Sequence, residues 1–129
     1  MAERKKRVLV VDDATLVRLY YRKILEAAGF EVVEALNGIE ALELLPSGSV
    51  DLLIVDVNMP RMDGMTLLKT LRRKELPLAS LPALVTSTES GEQDFAAARA
   101  AGANFYLVKP VSPDKLVEFT ALLCGASGG

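Results

Sequence analysis

Five short apolar runs recur along the chain: Val8-Leu9-Val10-Val11, Val32-Val33 with its flanks, Leu52-Leu53-Ile54-Val55, Leu81 to Thr86, and Phe105 to Val108. They are continuous rather than alternating, which is the pattern of strands covered on both faces. The second run, Glu31-Val32-Val33-Glu34-Ala35, is more polar and reads as an edge strand. Helical patterns fill the intervals. Residues 14–28 carry Leu16, Val17, Tyr20, Ile24, Leu25 and Ala28 at helical spacing, with Gly29 as a stop. Asn37-Gly38 opens a second helix with Ile39, Leu42 and Leu45 inward, closed by Pro46-Ser47-Gly48. Met65 to Arg73 gives a third, and an alanine-rich stretch from Glu92 to Ala101, ended by Gly102, a fourth. Pro113 stands in the first turn of the fifth, behind Ser112 as its cap.

Alternating strands and helices imply an α/β domain, a parallel sheet with helices on both faces joined by right-handed crossovers. Ligands of such sheets bind at the carboxyl ends of the strands. Composition adds few constraints. The 129 residues suit one domain, half of them hydrophobic, and the net charge of −2 gives no reason to expect nucleic acid. The basic run Arg4-Lys5-Lys6-Arg7 reads as a solvated lead-in, which sets residues 1–6 apart. The lone Cys124 cannot form an internal disulfide and fits a reducing compartment, with a place as buried filler. No apolar run approaches the roughly 20 residues of a membrane span, and no signal peptide opens the chain. A cytoplasmic protein with no membrane partner is expected, with a flexible tail over residues 125–129.

The chemistry stands at the strand ends. The first strand ends in Asp12-Asp13 and the third in Asp56, and in the common orders of such sheets these strands are neighbours. A lone strand-end aspartate is most simply a helix cap, a role open to Asp13. Three converging carboxylates repel one another, and a cation resolves the repulsion. Hard oxygen ligands without His or thiolate favour Mg²⁺ over zinc. The fourth strand ends in Thr86-Ser87-Thr88 and the fifth in Lys109-Pro110. Carboxylates, a hydroxyl and a lysine in one crevice describe a site for a transferred phosphoryl group, with one carboxylate as nucleophile. The chain contains no histidine, so a phosphohistidine donor must act in trans.

Val10-Val11-Asp12-Asp13, Asp56-Val57-Asn58-Met59-Pro60 with Met62-Asp63-Gly64, the hydroxyl at Ser87, and Tyr106-Leu107-Val108-Lys109-Pro110 together resemble the receiver domains of two-component response regulators, the chemotaxis regulators above all. The likeness covers roughly residues 7–123, and a receiver domain is assigned to 7–124. It implies a flavodoxin-like (βα)5 fold with strand order 2-1-3-4-5, in a monomer that is a phosphoacceptor and not a turnover enzyme. It further implies that Asp56 accepts the phosphoryl group from a histidine kinase or histidine phosphotransfer protein. Mg²⁺ would be held by Asp13 directly, Asp12 through water, Asp56 and the backbone carbonyl of Asn58. Ser87 would bond the phosphoryl group, Lys109 would pair with it, and Tyr106 would rotate inward as the hydroxyl moves. Taken by itself, Tyr106 reads equally as an ordinary half-buried strand aromatic. Among the three hydroxyls, counting 22 positions back from Lys109 favours Ser87. Met59-Pro60 and Asp63-Gly64 read as loop and turn chemistry. A downstream target is expected on the face of the fourth helix, fifth strand and fifth helix. Ser90-Gly91-Glu92 lacks the basic residues that chemotaxis regulators use on their motor face. Asn58 and Glu89 are expected to overhang the acyl phosphate and set its lifetime.

Other readings of the same elements are weaker. A flavodoxin-type cofactor site needs hydroxyls and glycines in its first loop, where Asp12-Asp13-Ala14 stands. A dehalogenase-type hydrolase needs a second aspartate where Asn58 stands. A phosphorylation-independent docking module would have lost an acidic residue, the hydroxyl or the lysine, and none is missing. A receiver module of a larger regulator or hybrid kinase is compatible with the Gly/Ser-rich tail.

Overall fold

The computed structural model describes residues 5–59 and 61–125. Arg4 of the basic lead-in, Pro60 and tail residues 126–129 lie outside the described residues. The strands are β1 (Arg7–Val11), β2 (Glu31–Ala35), β3 (Leu52–Asp56), β4 (Ala83–Ser87) and β5 (Phe105–Val108). The helices are α1 (Thr15–Ala27), α2 (Gly38–Leu44), α3 (Gly64–Arg72), α4 (Glu92–Ala101) and α5 (Pro113–Cys124). All neighbouring strands pair in parallel, in the order β2-β1-β3-β4-β5. This is the doubly wound sheet expected from the sequence, with the polar β2 at an edge.

Alternation along the buried strands divides the core into two layers. Leu9, Val11, Leu53, Val55 and Val85 face α2, α3 and α4, packing on Ala41, Leu67, Leu71 and Ala98. Val8, Val10, Leu52, Ile54 and Leu84 face α1 and α5, packing on Tyr21, Leu25, Leu116 and Cys124. Side-chain caps fix where the helices start: Asn37 accepts from the Glu40 N–H at 2.9 Å and Asp63 from that of Thr66 at 2.8 Å. Ser112 caps α5 by accepting from the Lys115 N–H at 3.3 Å. Gly102 ends α4 at φ 112°, a left-handed conformation that suits glycine.

Three expectations need correction. The fourth apolar run begins at Leu81, yet β4 begins at Ala83, because Leu78–Ser80 form a 3₁₀ turn that Leu81 closes through its N–H to Leu78. On α1, Leu16 is 78% exposed and Tyr20 also faces outward; the buried face is Arg18, Tyr21 and Leu25. An arginine occupies the inward stripe because polar partners beneath the helix satisfy its guanidinium. On α2, Ile39 is exposed, while Ala41 and Leu45 turn inward. The capping role open to Asp13 is not taken: Ala14 occupies the cap position of α1, and no side chain caps it.

Candidate functional site at the carboxyl ends of the strands

Asp12 follows β1 directly and Asp56 ends β3, and these strands are hydrogen-bonded neighbours. Oxygens of Asp12, Asp13 and Asp56 all lie within 4.8 Å of one another. Asp12 and Asp56 are buried, whereas Asp13 is exposed at the mouth of the crevice. The ammonium of Lys109, just beyond β5, donates to Asp12 Oδ2 at 3.0 Å and lies 3.3 Å from Asp56 Oδ1. Among the described residues one cation thus bridges two of the three carboxylates, leaving an excess of negative charge in the crevice. The Lys109–Pro110 peptide is cis.

The electrostatics follow from this crowding. Burial raises the Asp56 carboxyl above its ordinary range, and the charge of Asp12 raises it further. The charge and hydrogen bond of Lys109, and the backbone N–H of Asn58, pull it partly back. For Lys109, burial works downward, but the hydrogen bond and charge of Asp12 together with the charge of Asp56 outweigh it, and the ammonium is held above its usual value. The donor set fits a hard divalent cation: carboxylate oxygens only, partly desolvated, with more negative charge than the lysine neutralises.

Strand register orders the hydroxyls. Thr86 pairs with Asp56 across the sheet and is fully buried. Ser87, the last residue of β4, is also buried, and its Oγ accepts from the Glu89 N–H at 3.1 Å. Thr88 is exposed and lines a cavity of about 330 Å³ with Val17, Tyr20, Tyr21, Lys109, Pro110 and Val111. Asn58 and Glu89 are both exposed on the loops after β3 and β4. Tyr106 on β5 is half-buried, donates its hydroxyl proton to the Glu89 carbonyl at 2.9 Å, and meets Phe95 of α4 edge-on at 4.7 Å.

Three residues shape the site in ways the sequence reading does not assign, Gly64 being read there only as turn chemistry. A Cβ on Gly64 would collide with the carbonyl oxygen of Asp56, so a glycine lets the start of α3 approach the strand end. Tyr21 is buried, and burial raises its phenol, against which the charge of Lys109 works. Arg18 is the third. Its only sequence signal is an arginine three and seven positions before Tyr21 and Leu25 on one helical face.

Comparisons with known proteins agree with this geometry. The model of the response regulator receiver domain matches residues 8–121. The chain is 36% identical over 123 residues to the chemotaxis protein CheY1 of Helicobacter pylori, covering 94% of this chain and 98% of that one. It is 31% identical over 117 residues to the CAI-1 autoinducer sensor kinase/phosphatase CqsS of Vibrio cholerae, which is 91% of this chain but spans only 17% of that protein's length. Among solved structures, a response regulator from Chloroflexus aurantiacus superposes with a TM-score of 0.90 at 35% identity, covering 95% of this chain and 99% of the other.

Proposed function

This chain belongs to the response regulator receiver family of two-component signalling, a premise from which we propose that Asp56 is its phosphoacceptor. The donor is a phosphohistidine on a histidine kinase or histidine phosphotransfer protein. The observation that carries the reading is Lys109, whose single ammonium bridges Asp12 at 3.0 Å and Asp56 at 3.3 Å in a pocket of three carboxylates. An oxygen of Asp56 forms the O–P bond while the P–N bond of phosphohistidine breaks, and the imidazole nitrogen keeps the electron pair. Lys109 is positioned to move from the carboxylate to a phosphoryl oxygen as charge develops there.

Asp13, Asp12, Asp56 and the backbone carbonyl of Asn58 would hold Mg²⁺. When bound, the ion offsets the carboxylate charge and draws negative charge from the phosphoryl oxygens. The Ser87 hydroxyl accepts from Glu89 and keeps its own proton for a phosphoryl oxygen. Swinging the whole Ser87 side chain toward that oxygen loosens the loop at Glu89, whose carbonyl holds Tyr106, and so reports phosphorylation to the α4-β5-α5 face. Phe105 stacks there on Phe119 at 4.2 Å, beside exposed Val108 and Leu122, an apolar surface for a downstream protein. The protein promotes gain and loss of its own phosphoryl group and turns over no other substrate.

The test is chemical labelling. Acetyl phosphate with Mg²⁺ should phosphorylate the wild type and leave Asp56→Asn unlabelled, read by intact mass. Full labelling of the Asn variant would overturn the assignment.

A further inference from the structure

Arg18 is only 6% exposed, an unusual burial for a charged residue, and the proposed chemistry makes no use of it. Its guanidinium donates from Nη1 to the backbone carbonyl of Asp12 at 2.6 Å, from Nε to Glu34 Oε1 at 2.8 Å and from Nη2 to Thr15 Oγ1 at 3.3 Å. The other oxygen of Glu34 accepts from Arg22 Nε at 2.7 Å, and Arg22 reaches on to the Val32 carbonyl at 3.2 Å. Burial works to raise the Glu34 carboxyl, but hydrogen bonds from Arg18 and then Arg22 hold it below its ordinary range, so the clamp is ionised at neutral pH. Arg18 therefore joins α1, the edge strand β2 and the loop that carries two of the three site carboxylates.

The contact with Asp12 matters because of what that carbonyl belongs to. The peptide of Asp12 C=O and Asp13 N–H is the hinge on which the Asp13 side chain hangs. Asp12 is otherwise fixed at every polar atom: its N–H donates to Ala35 at 3.2 Å, Oδ1 accepts from the Ala14 N–H at 2.9 Å and Oδ2 from Lys109 at 3.0 Å. Asp13 is exposed, and no side chain caps α1 beside it, so the Arg18 bond is the restraint on the peptide that aims it.

We propose that Arg18, held in place by Glu34, is a positioning residue that orients Asp13 toward a divalent cation by fixing the Asp12–Asp13 peptide from beneath. The inference rests on the reading that these carboxylates take Mg²⁺. Position and charge make opposite predictions here. Deleting a positive charge beneath a cation site strengthens Mg²⁺ binding if charge alone matters. Losing the forked geometry weakens it, by roughly 10-fold on the pattern of residues that orient metal ligands. Arg18→Lys keeps the charge but cannot fork between the Asp12 carbonyl and Glu34.

The experiment is Mg²⁺ titration of the unphosphorylated protein by calorimetry, on wild type, Arg18→Lys, Arg18→Met and Glu34→Gln, with melting in EDTA recorded for each. The expected result is weaker binding, about 10-fold for both Arg18 variants and less for Glu34→Gln, uncorrelated with the melting temperatures. Glu34→Gln leaves Arg18 in place and tests the clamp should an Arg18 variant fail to fold. Unchanged binding in Arg18→Lys, or tighter binding in Arg18→Met, overturns the proposal while the Mg²⁺ site itself stands. A wild type that binds no Mg²⁺, as Asp13→Asn should not, overturns the reading of the site and this inference with it.

Discussion

Replacing Asp56 by asparagine should stabilise the metal-free protein, although it removes half of an ion pair. The Asp56 carboxylate is 7% exposed, lies within 4.8 Å of Asp12 and is 3.3 Å from Lys109 Nζ. With an effective dielectric of about 20, repulsion across no more than 4.8 Å costs at least roughly 3 kcal/mol and attraction at 3.3 Å returns roughly 5. Taking the carboxylate out of water costs several kcal/mol more, so its ionised form is a net burden of about 1–2 kcal/mol. That agrees with the raised carboxyl, for which burial is the leading cause. Asparagine is nearly isosteric, and it leaves Lys109 paired with Asp12.

A carboxyl raised on folding holds its proton to higher pH in the folded than in the unfolded state. Stability is therefore lost as pH rises from the unfolded value of about 4 through the folded one. The advantage of Asp56→Asn is full at pH 7.5, shrinks as pH falls through the folded value and vanishes below about pH 4. Circular dichroism melts in EDTA should show the variant about 5 °C above wild type at pH 7.5. Adding Mg²⁺ at ten times its Kd returns about 1.4 kcal/mol to the wild type alone and closes the gap. A variant that melts at or below wild type in EDTA at pH 7.5 would refute the reasoning, as would a gain that survives at pH 3.5.

Gly64→Ala forces a methyl against the Asp56 carbonyl and should cost about 1–3 kcal/mol in urea unfolding, with slower labelling by acetyl phosphate; an unchanged midpoint counts against the close approach. Ser87→Ala should still accept phosphate, yet phosphorylation should shift the amide resonances of residues 88–111 less than in wild type; equal shifts would separate Ser87 from the switch. Bulky apolar residues at both Asn58 and Glu89 should lengthen the acyl phosphate's lifetime without preventing its formation, and decay at the wild-type rate would show that neither orients the attacking water. If the exposed Leu16 meets the protein donor, Leu16→Asp should slow transfer from that donor while leaving acetyl phosphate labelling unchanged; transfer at the wild-type rate would exclude Leu16 from the contact.

The sheet was legible because strands covered on both faces must be continuously apolar, and Val8 to Val11 and Leu52 to Val55 are. The termination of each run by charge was legible too, since nothing apolar requires Asp12, Asp56 or Lys109 at a strand end. Rotation of α1 about its axis was not. Its apolar residues nearly encircle the helix, so periodicity alone favoured Leu16 and Tyr20, whereas the partners of Arg18 on β2 and after β1 chose the face. Those partners lie 16 and 6 residues away, and the longer contact exists only once the sheet has formed. The need for Gly64 was hidden for the same reason: its constraint is the Asp56 carbonyl, a contact that no local pattern carries.

The placement of Ser87 ties the site to the surface through one short chain of bonds. Ser87 is the last residue of β4 and pairs with Val108, so it is held as firmly as the sheet. Two residues later Glu89 is held on both sides: its N–H donates to Ser87 Oγ and its carbonyl accepts from the Tyr106 hydroxyl, so each of the two consecutive peptides that meet at Glu89 is tied to one of these side chains. In the proposed switch, swinging the Ser87 side chain toward a phosphoryl oxygen would carry its Oγ away from the Glu89 N–H. Glu89 is exposed, so its N–H can turn to water, and losing the bond to Ser87 frees the loop at the net worth of one hydrogen bond, about 0.5–1.5 kcal/mol. The Glu89 carbonyl is the only hydrogen-bond partner of the Tyr106 hydroxyl among the described residues, and this tyrosine packs edge-on against Phe95 of α4. Movement of Glu89 would then loosen the hold on the Tyr106 ring, on the face proposed for a downstream protein.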